Sequence, residues 1–311
     1  MRTLIAALLF SVSALAQAQY PQRPVQVIVP WGAGGGADQL ARRLGKLLEG
    51  DLKVSVPVVN VTGATGNTGM AKLLSAPADG YSMAVFIADT LATLAGGKGR
   101  YKLADITPLG VMIRQPSGLF VKQDSKWKTF DDLLADAKKG DIKAAVTGIG
   151  SADEMHVVAF NEKHGTKFRA VPFAAAGERY SSILGGHADV LVEQAGDVKS
   201  FVDSKQMRPV LFFYGKKVDD FPDVPVSTAL GDNITLPQFR MILVKAGTEP
   251  ARVKLLSDAI ARAVQTTDFK NYLKEQYADP NSFVAGDAAQ KYMQAWLDEA
   301  KRVMSITSAK K

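Results

Sequence analysis

The chain has 311 residues, a length more typical of two domains than of one. It contains no cysteine, which excludes disulfides, thiolate nucleophiles and cysteine-ligated metals. Its formal net charge is +7, but lysine and arginine are spread along the chain without an aromatic-flanked basic run. This distribution argues against nucleic-acid binding and favours small anionic solutes.

The N-terminal segment Met1–Ala18 has the layout of a secretory signal peptide. Arg2 supplies a short basic start, and an apolar stretch continues to about Leu15. Small residues at Ala16 and Ala18 mark cleavage after Ala18, with cleavage after Ala16 as the second option. The sequence therefore predicts an exported, periplasmic protein; a buried N-terminal helix is the alternative.

Two glycine loops follow, each placed where an apolar strand should run into an amphipathic helix. The first, Trp31–Asp38, follows the strand Val25–Pro30, and the second, Gly63–Gly69, follows the strand Val56–Val59. Glycine lets the backbone approach a ligand closely, and a helix start presents unpaired N–H groups. Two such helix starts facing one cleft would bind an anion without a basic side chain. The alternative is that both loops are only tight turns.

The remaining pattern alternates strands with helices and predicts an α/β protein with parallel sheets. A third strand is expected at Ser82–Ile87 and a helix capped by Thr129. From residue 124 the layout of the first third repeats, which indicates two lobes with a ligand cleft between them. The later predicted strands are Ile142–Thr147, Phe168–Phe173, Asp189–Val192, Pro209–Phe213 and a return strand Arg240–Val244, followed by C-terminal helices.

Three other interpretations of these motifs conflict with the sequence. Gly32, Gly34 and Ala37 fit a dinucleotide fingerprint, but the second strand lacks the acidic residue that would bind ribose. Ser151 and His156 have no third residue to orient an imidazole, so no catalysis is expected and the protein is predicted not to be an enzyme. The three histidines lack metal-ligand spacing, so neither a metal nor another cofactor is expected. His156 is predicted to be a core residue.

Taken in order, the short motifs of the mature chain resemble those of the periplasmic receptors of tripartite tricarboxylate transporters, also called Bug receptors. Single motifs are weak, whereas their order and spacing are specific. The matching segments are Tyr20-Pro21, Val29-Pro30-Trp31 with Gly34-Gly35 and Asp38, Gly63 with Gly66-Asn67 and Gly69, Pro77–Tyr81, Gly150-Ser151, Val171-Pro172-Phe173 with Gly177, Gly185-Gly186 with Asp189, Asp223-Val224-Pro225 and Ala246-Gly247-Thr248.

The resemblance implies a two-lobed type II periplasmic binding protein fold, a Venus flytrap that closes on its ligand. The pattern of the chain itself predicts a signal peptide at 1–18, a first lobe at 19–123, a second lobe at 124–236 and a return segment at 237–311 that lies mostly with the first lobe. The implied ligand is a small carboxylate, and the implied partner is the permease of a tripartite tricarboxylate transporter. We expect a monomer. A stand-alone sensor for a signalling receptor is the alternative function, and an exported hydrolase is a more distant one.

The resemblance also assigns ligand-binding residues. Two glycine loops would hold one ligand carboxylate, and the second lobe with neighbouring positions would set selectivity. Asp38 is more readily explained as a cap for loop amides than as a ligand contact, and Trp31 either covers the ligand or packs beneath the loop. The expected carboxylate site comprises Trp31, Gly34, Gly35, Gly36, Asp38, Gly63, Ala64, Thr65 and Asn67, and the expected selectivity residues are Ala88, Asp89, Gly150, Ser151, Ala175, Ala176 and Asp197.

Some positions depart from the family pattern. Phe173 is followed by Ala174-Ala175-Ala176, where the family often has Lys or Thr with Gly, and the third strand is followed by Ala88-Asp89 instead of hydroxyl residues. An acid at Asp89 that faced the site would disfavour a second anionic group and favour an ammonium. Arg240, if it faced the site, would favour a second anionic group and disfavour an ammonium. Either side chain facing solvent is the alternative, so the sequence does not identify the solute.

Overall fold

The computed structural model describes residues 20–308, so the expected signal peptide lies outside the described residues. Within that range no helix combines the length and the apolarity needed to cross a bilayer. The strands are β1 Gln26–Val29, β2 Val58–Asn60, β3 Ser82–Ile87, β4 Ile106–Gln115, β5 Ser117–Lys122, β6 Ile142–Val146, β7 Phe168–Pro172, β8 Val190–Glu193, β9 Met207–Phe213 and β10 Gln238–Lys245. The helices are α1 Gly36–Leu52, α2 Asn67–Ser75, α3 Ala88–Ala95, α4 Phe130–Lys139, α5 Ala152–His164, α6 Ala176–Leu184, α7 Lys199–Asp203, α8 Pro250–Gln265, α9 Thr267–Glu275 and α10 Gly286–Ser308.

These strands form two five-stranded sheets, each the centre of one lobe. The first has the order β2-β1-β3-β10-β4 and the second the order β7-β6-β8-β5-β9. In the first, β1 pairs in parallel with β2 and β3, while β10 runs antiparallel to β3 and β4. In the second, β5 runs antiparallel to β8 and β9. The sheets are therefore mixed, which corrects the expectation of parallel sheets: β5 and β10 enter from the other lobe and run against their neighbours.

The chain passes between the sheets twice. The first passage is at Pro116, because β4 ends at Gln115 in the first sheet and β5 begins at Ser117 in the second. The sequence placed this boundary later, after residue 123, since Pro108–Lys122 reads as one interrupted strand region. The return passage lies between β9 and β10. The return strand expected at Arg240–Val244 is thus confirmed in the first sheet, with bounds Gln238–Lys245.

Side chains alternate between the two faces of each sheet, and helices cover both faces. On β1, Val27 and Val29 pack in one apolar cluster with α1 and α8, whereas Ile28 packs in a second cluster on the opposite face. The second sheet likewise separates two clusters. Thr129 caps α4 as the sequence predicts, since its side chain accepts a hydrogen bond from Asp132 N.

Helix α5 lies between the lobes and contributes to both cores. Ala152, Met155 and Ala159 pack in an apolar cluster of the first lobe together with α3 and α10. Val157 and Phe160 pack in a cluster of the second lobe. A helix with apolar residues on two faces is buried between two partners. The lobes are therefore joined by apolar packing as well as by the two chain crossings.

Candidate functional site

The first glycine loop presents the open start of α1. Gly34 has φ of 83°, a left-handed conformation that glycine adopts without strain. Gly35 is the N-cap of α1, and no side chain caps that helix start within the described part of the chain. The N–H groups of the first turn have no partner within a helix. A backbone anion site therefore remains available at Gly35, Gly36 and Ala37.

Asp38 fixes the shape of this loop and is not among the residues that line the cavity described below. Its Oδ2 accepts from Gly34 N at 3.0 Å and from Arg42 Nε at 2.9 Å, and its Oδ1 accepts from Asn60 Nδ2 at 3.0 Å. Burial opposes ionisation, but the bonds from Arg42, Gly34 and Asn60 lower the pKa of Asp38 overall. Asp38 is thus a buried, ionised cap for a loop amide. Gly34, whose N–H it occupies, is also not a lining residue.

Trp31 is buried at the same loop and lines the cavity. Its carbonyl accepts from Asn60 Nδ2 at 2.9 Å. Its indole Nε1 is a buried donor without a hydrogen-bond partner within residues 20–308. A buried donor without an acceptor costs free energy, so a ligand acceptor at this point would be stabilised.

Around this loop lies a cavity of about 40 Å³ between the two lobes. That is room for about three waters, since each needs roughly 10–15 Å³. Small residues on both sides allow the lobes to approach: a Cβ added to Gly35 would lie 3.3 Å from Ala176 Cβ. The lining residues are Trp31, Gly32, Gly35, Gly36, Ala37, Ile87, Asp89, Thr147, Ala174, Ala176, Arg179, Glu193, Gln194, Asp197, Gln238 and Arg240.

Two buried ion pairs form part of this lining. Arg240 on β10 of the first lobe pairs with Asp197, which follows β8 in the second lobe. Arg179 on α6 pairs with Glu193 at the end of β8. Burial, offset in part by Arg240, raises the pKa of Asp197 to about 6. The first pair is an electrostatic contact between the lobes. The alternative in which Arg240 faces solvent is excluded, because its side chain is buried.

Asp89 and Asp153 bring two further carboxylates close together, one from each lobe. Asp89 accepts from Gln238 Nε2 at 2.7 Å and from Asp153 N at 3.4 Å. Asp153 accepts from Thr147 N and Oγ1. Burial and the nearby Glu193 charge raise the pKa of Asp89. Burial and the nearby Asp89 charge raise the pKa of Asp153 well above its usual value. The alternative in which Asp89 faces solvent is therefore excluded.

The second glycine loop lies elsewhere. Gly63, Ala64, Thr65 and Asn67 are not among the residues that line the cavity. Thr65 Oγ1 donates to Ile149 O of the second lobe at 3.0 Å, and Asn67 bonds Ala64 O and Arg100 N. This loop therefore makes a closing contact between the lobes. The structure does not bring both helix starts to one cavity, because the second loop packs against residues 148–149 instead.

Gly150 and Ser151 also lie away from this cavity. Ser151 is buried, and its side chain caps α5 by accepting from Glu154 N at 3.1 Å. Gly150 lines a separate groove with Lys98 and Glu154. His156 is a core residue, as predicted. Its Nε2 lies 3.1 Å from Thr235 O and its ring stacks on Phe213 at 4.3 Å.

Of the remaining predicted residues, Asp89, Ala176 and Asp197 line the cavity. Ala88 instead donates its N–H to Gln238 Oε1 at 3.0 Å, and Ala175 packs against Gly32. Several polar lining residues were not predicted from the sequence, and the orientation of Arg240 was left open. The sequence could have indicated Gln238 and Arg240, because residues two apart on a strand share a face and both lie on β10. The unassigned polar residues are Thr147, Arg179, Glu193, Gln194 and Gln238.

The fold is shared with solved two-lobed periplasmic binding proteins. A TctC solute-binding protein from Polaromonas is 28% identical, with a TM-score of 0.68, and the match covers 92% of this chain and 99% of that one. An R. palustris protein solved with adipate is 21% identical, with a TM-score of 0.86, and covers 93% and 98%. Among sequence relatives, Protein BugT of Bordetella pertussis is 29% identical over 271 residues, covering 84% of this chain and 82% of BugT.

Residues 40–311 match the family described as "Tripartite tricarboxylate transporter family receptor". The chain belongs to this family of periplasmic solute-binding receptors, as its motifs predicted. Such receptors are solute-binding proteins with a two-lobed fold. The cavity between the two sheets is therefore the candidate ligand site.

Proposed function

We propose that the protein is an exported receptor that binds a small carboxylate between its lobes and delivers it to the permease of a tripartite tricarboxylate transporter. The main support is the uncapped start of α1, which opens into the cavity beside the unpartnered Trp31 Nε1. Backbone N–H groups at a helix start favour an anion, and an indole N–H adds a directed donor. The carboxylate would lie against Gly35, Gly36 and Trp31.

The volume of the cavity and the charges of its lining narrow the class of ligand. A cavity of about 40 Å³ favours a short chain over a tricarboxylate. Both arginines of the lining already have carboxylate partners, so neither is an unpaired cation for a second acidic group. The adipate of the R. palustris structure supports a carboxylate as the ligand type without naming the compound for this chain.

Closure is the proposed functional step. The ligand would contact residues of both lobes and shift the balance between open and closed forms toward the closed one. We propose that the mature protein acts as a monomer in the periplasm after removal of the segment ending near Ala18. The permease would recognise the closed form.

A thermal-shift screen of mono-, di- and tricarboxylates, acidic amino acids and aromatic acids tests the binding proposal. At least one carboxylate should raise the melting temperature in a concentration-dependent way, because a ligand of the native state stabilises it. That compound should also reduce the radius of gyration in solution without being turned over. Stabilisation only by uncharged or purely cationic compounds would refute the proposal. Deletion of the gene should abolish uptake of the compound; normal uptake would favour a sensing role.

A further inference from the structure

The end of α9 carries a tyrosine in a backbone conformation that glycine normally adopts. Tyr277 has φ of 48°, and it stands where a glycine commonly terminates a helix. Its N–H donates to Lys274 O at 3.0 Å, and the N–H of Ala278 donates to Leu273 O at 3.0 Å. A side chain makes this left-handed conformation strained, and such strain persists only where surrounding contacts hold the residue.

The contacts that hold this tyrosine come from the other lobe. Helix α9 belongs to the first lobe, where Tyr272 and Leu273 pack in an apolar cluster, whereas Tyr277 packs against an apolar cluster of the second lobe. Its ring meets the Phe221 ring edge-on, with the centroids 5.1 Å apart. Its hydroxyl accepts a hydrogen bond from Lys199 Nζ at 3.0 Å. The strained residue therefore links the two lobes.

Both partners are fixed within the second lobe. Phe221 packs on Phe212 of β9, with the ring centroids 5.4 Å apart, and Lys199 at the start of α7 pairs with Asp203 at 2.8 Å. The Lys199 ammonium also lies 5.2 Å from the centre of the Tyr277 ring, within the range of a cation–π contact. Separation of the lobes would break these contacts, because each partner is held by its own lobe.

The second-lobe segment that leads into Lys199 also reaches the cavity. Gly196 lies against the backbone of Gln276, so closely that an added Cβ would come within 2.3 Å of the Gln276 Cα. The next residue, Asp197, pairs with Arg240 in the cavity lining. Arg240 Nη1 in turn donates to Gln276 Oε1 at 3.3 Å. One short segment thus connects the cavity to the strained turn, and opening the cavity would pull on that turn.

We propose that Tyr277 is a latch that holds the two lobes closed without contacting the solute. It is not among the residues that line the cavity. The inference rests on the proposed function, in which closure retains the solute, and it adds a positioning residue for that closure. In the closed form the contacts with Phe221 and Lys199 offset the strain of the turn, whereas the open form keeps the strain and loses the contacts.

Two substitutions of Tyr277 separate latching from folding. Tyr277→Gly removes the side chain and suits the left-handed turn, so the variant should fold as the parent does by circular dichroism. Tyr277→Phe keeps the ring contact and removes the hydrogen bond to Lys199. Since the chain has no cysteine, cysteines introduced at the exposed Lys72 of α2 and Lys143 of β6 are its only thiols for fluorescent labels. Single-molecule energy transfer then measures the separation of the lobes in the ligand-free protein.

The ratio of open to closed molecules is the deciding quantity. We expect Tyr277→Gly to raise this ratio by at least about fivefold, through loss of one ring pair and one hydrogen bond, and Tyr277→Phe to raise it by about twofold. Lys53→Gly is the matched control, because Lys53 also has a positive φ, of 58°, at the end of a helix and is exposed on the first lobe. It should leave the ratio unchanged.

The outcomes distinguish the latch from the proposed function. A parental ratio for Tyr277→Gly, or a shift toward the closed form, would overturn the latch whichever carboxylates bind. A raised ratio in a protein that no carboxylate stabilises would support the latch and refute the proposed function. If Tyr277→Gly fails to fold, Tyr277→Phe decides, and a parental ratio for that variant would overturn the latch.

Discussion

Replacing Gly36 with alanine tests whether the start of α1 lies against the ion pair between the lobes. A Cβ built on Gly36 would overlap the Arg240 guanidinium and Asp197 Oδ2, far inside ordinary contact distance. These two side-chain ends must then move. Breaking a buried ion pair costs about 3–5 kcal/mol, and the better helix propensity of alanine returns up to about 1 kcal/mol. The expected loss in the free energy of unfolding is therefore about 2–4 kcal/mol if the pair separates, and less if both ends shift together into the cavity.

Gly50 in the same helix provides the control. No heavy atom lies within 4 Å of a Cβ built there, so Gly50→Ala should gain up to about 1 kcal/mol from helix propensity alone. Urea unfolding measures both variants, and small-angle scattering shows whether Gly36→Ala relieves the overlap by opening the lobes. Equal stability and equal radius of gyration for the two variants would show that the guanidinium does not lie against Gly36.

Three other substitutions address the supporting residues. Asp38→Ala should lower the free energy of unfolding by about 1–3 kcal/mol, measured by urea unfolding, because Gly34 N, Arg42 and Asn60 lose a charged acceptor; parental stability would contradict the cap. Ser151→Ala should cost about 1 kcal/mol through loss of the α5 cap at Glu154 N, with unchanged ligand affinity by calorimetry; weakened binding without destabilisation would return Ser151 to the site. Burial lowers the pKa of His156 to about 4 from 6.5. The contribution of neutral His156 to the free energy of unfolding is therefore full above pH 6.5 and is lost as the pH falls toward 4. His156→Gln should flatten the stability profile in that window by about 3 kcal/mol, and an unchanged slope would refute this.

Much of the fold was predictable because local patterns and global packing agree. The third strand was placed at Ser82–Ile87, and the cap of α4 was placed at Thr129; both are found there. The mixed direction of the sheets was not predictable from alternation alone. It depends on β5 and β10 crossing between lobes, and an apolar strand reads the same in either direction.

Among the residues expected at the site, most of the first glycine loop and Asp89, Ala176 and Asp197 line the cavity, whereas the second glycine loop does not. The glycine loop at Gly35 and Gly36 was recognised because helix starts and glycines have a sequence signature. The polar lining comes from five separate segments: Asp89, Thr147, Arg179, residues 193–197 and residues 238–240. Their meeting point is set by closure of the lobes, which a single sequence does not encode in any local pattern.

The position of α5 bears on how fast a solute exchanges. Opening the cleft by a hinge motion would expose Ala152, Met155 and Ala159, which pack on the first lobe. Exposing apolar surface costs roughly 25 cal/mol per Å². We therefore expect the open form of the ligand-bound protein to be sparsely populated and dissociation to wait for it. A captured solute would then remain bound long enough to travel, even when its equilibrium affinity is modest.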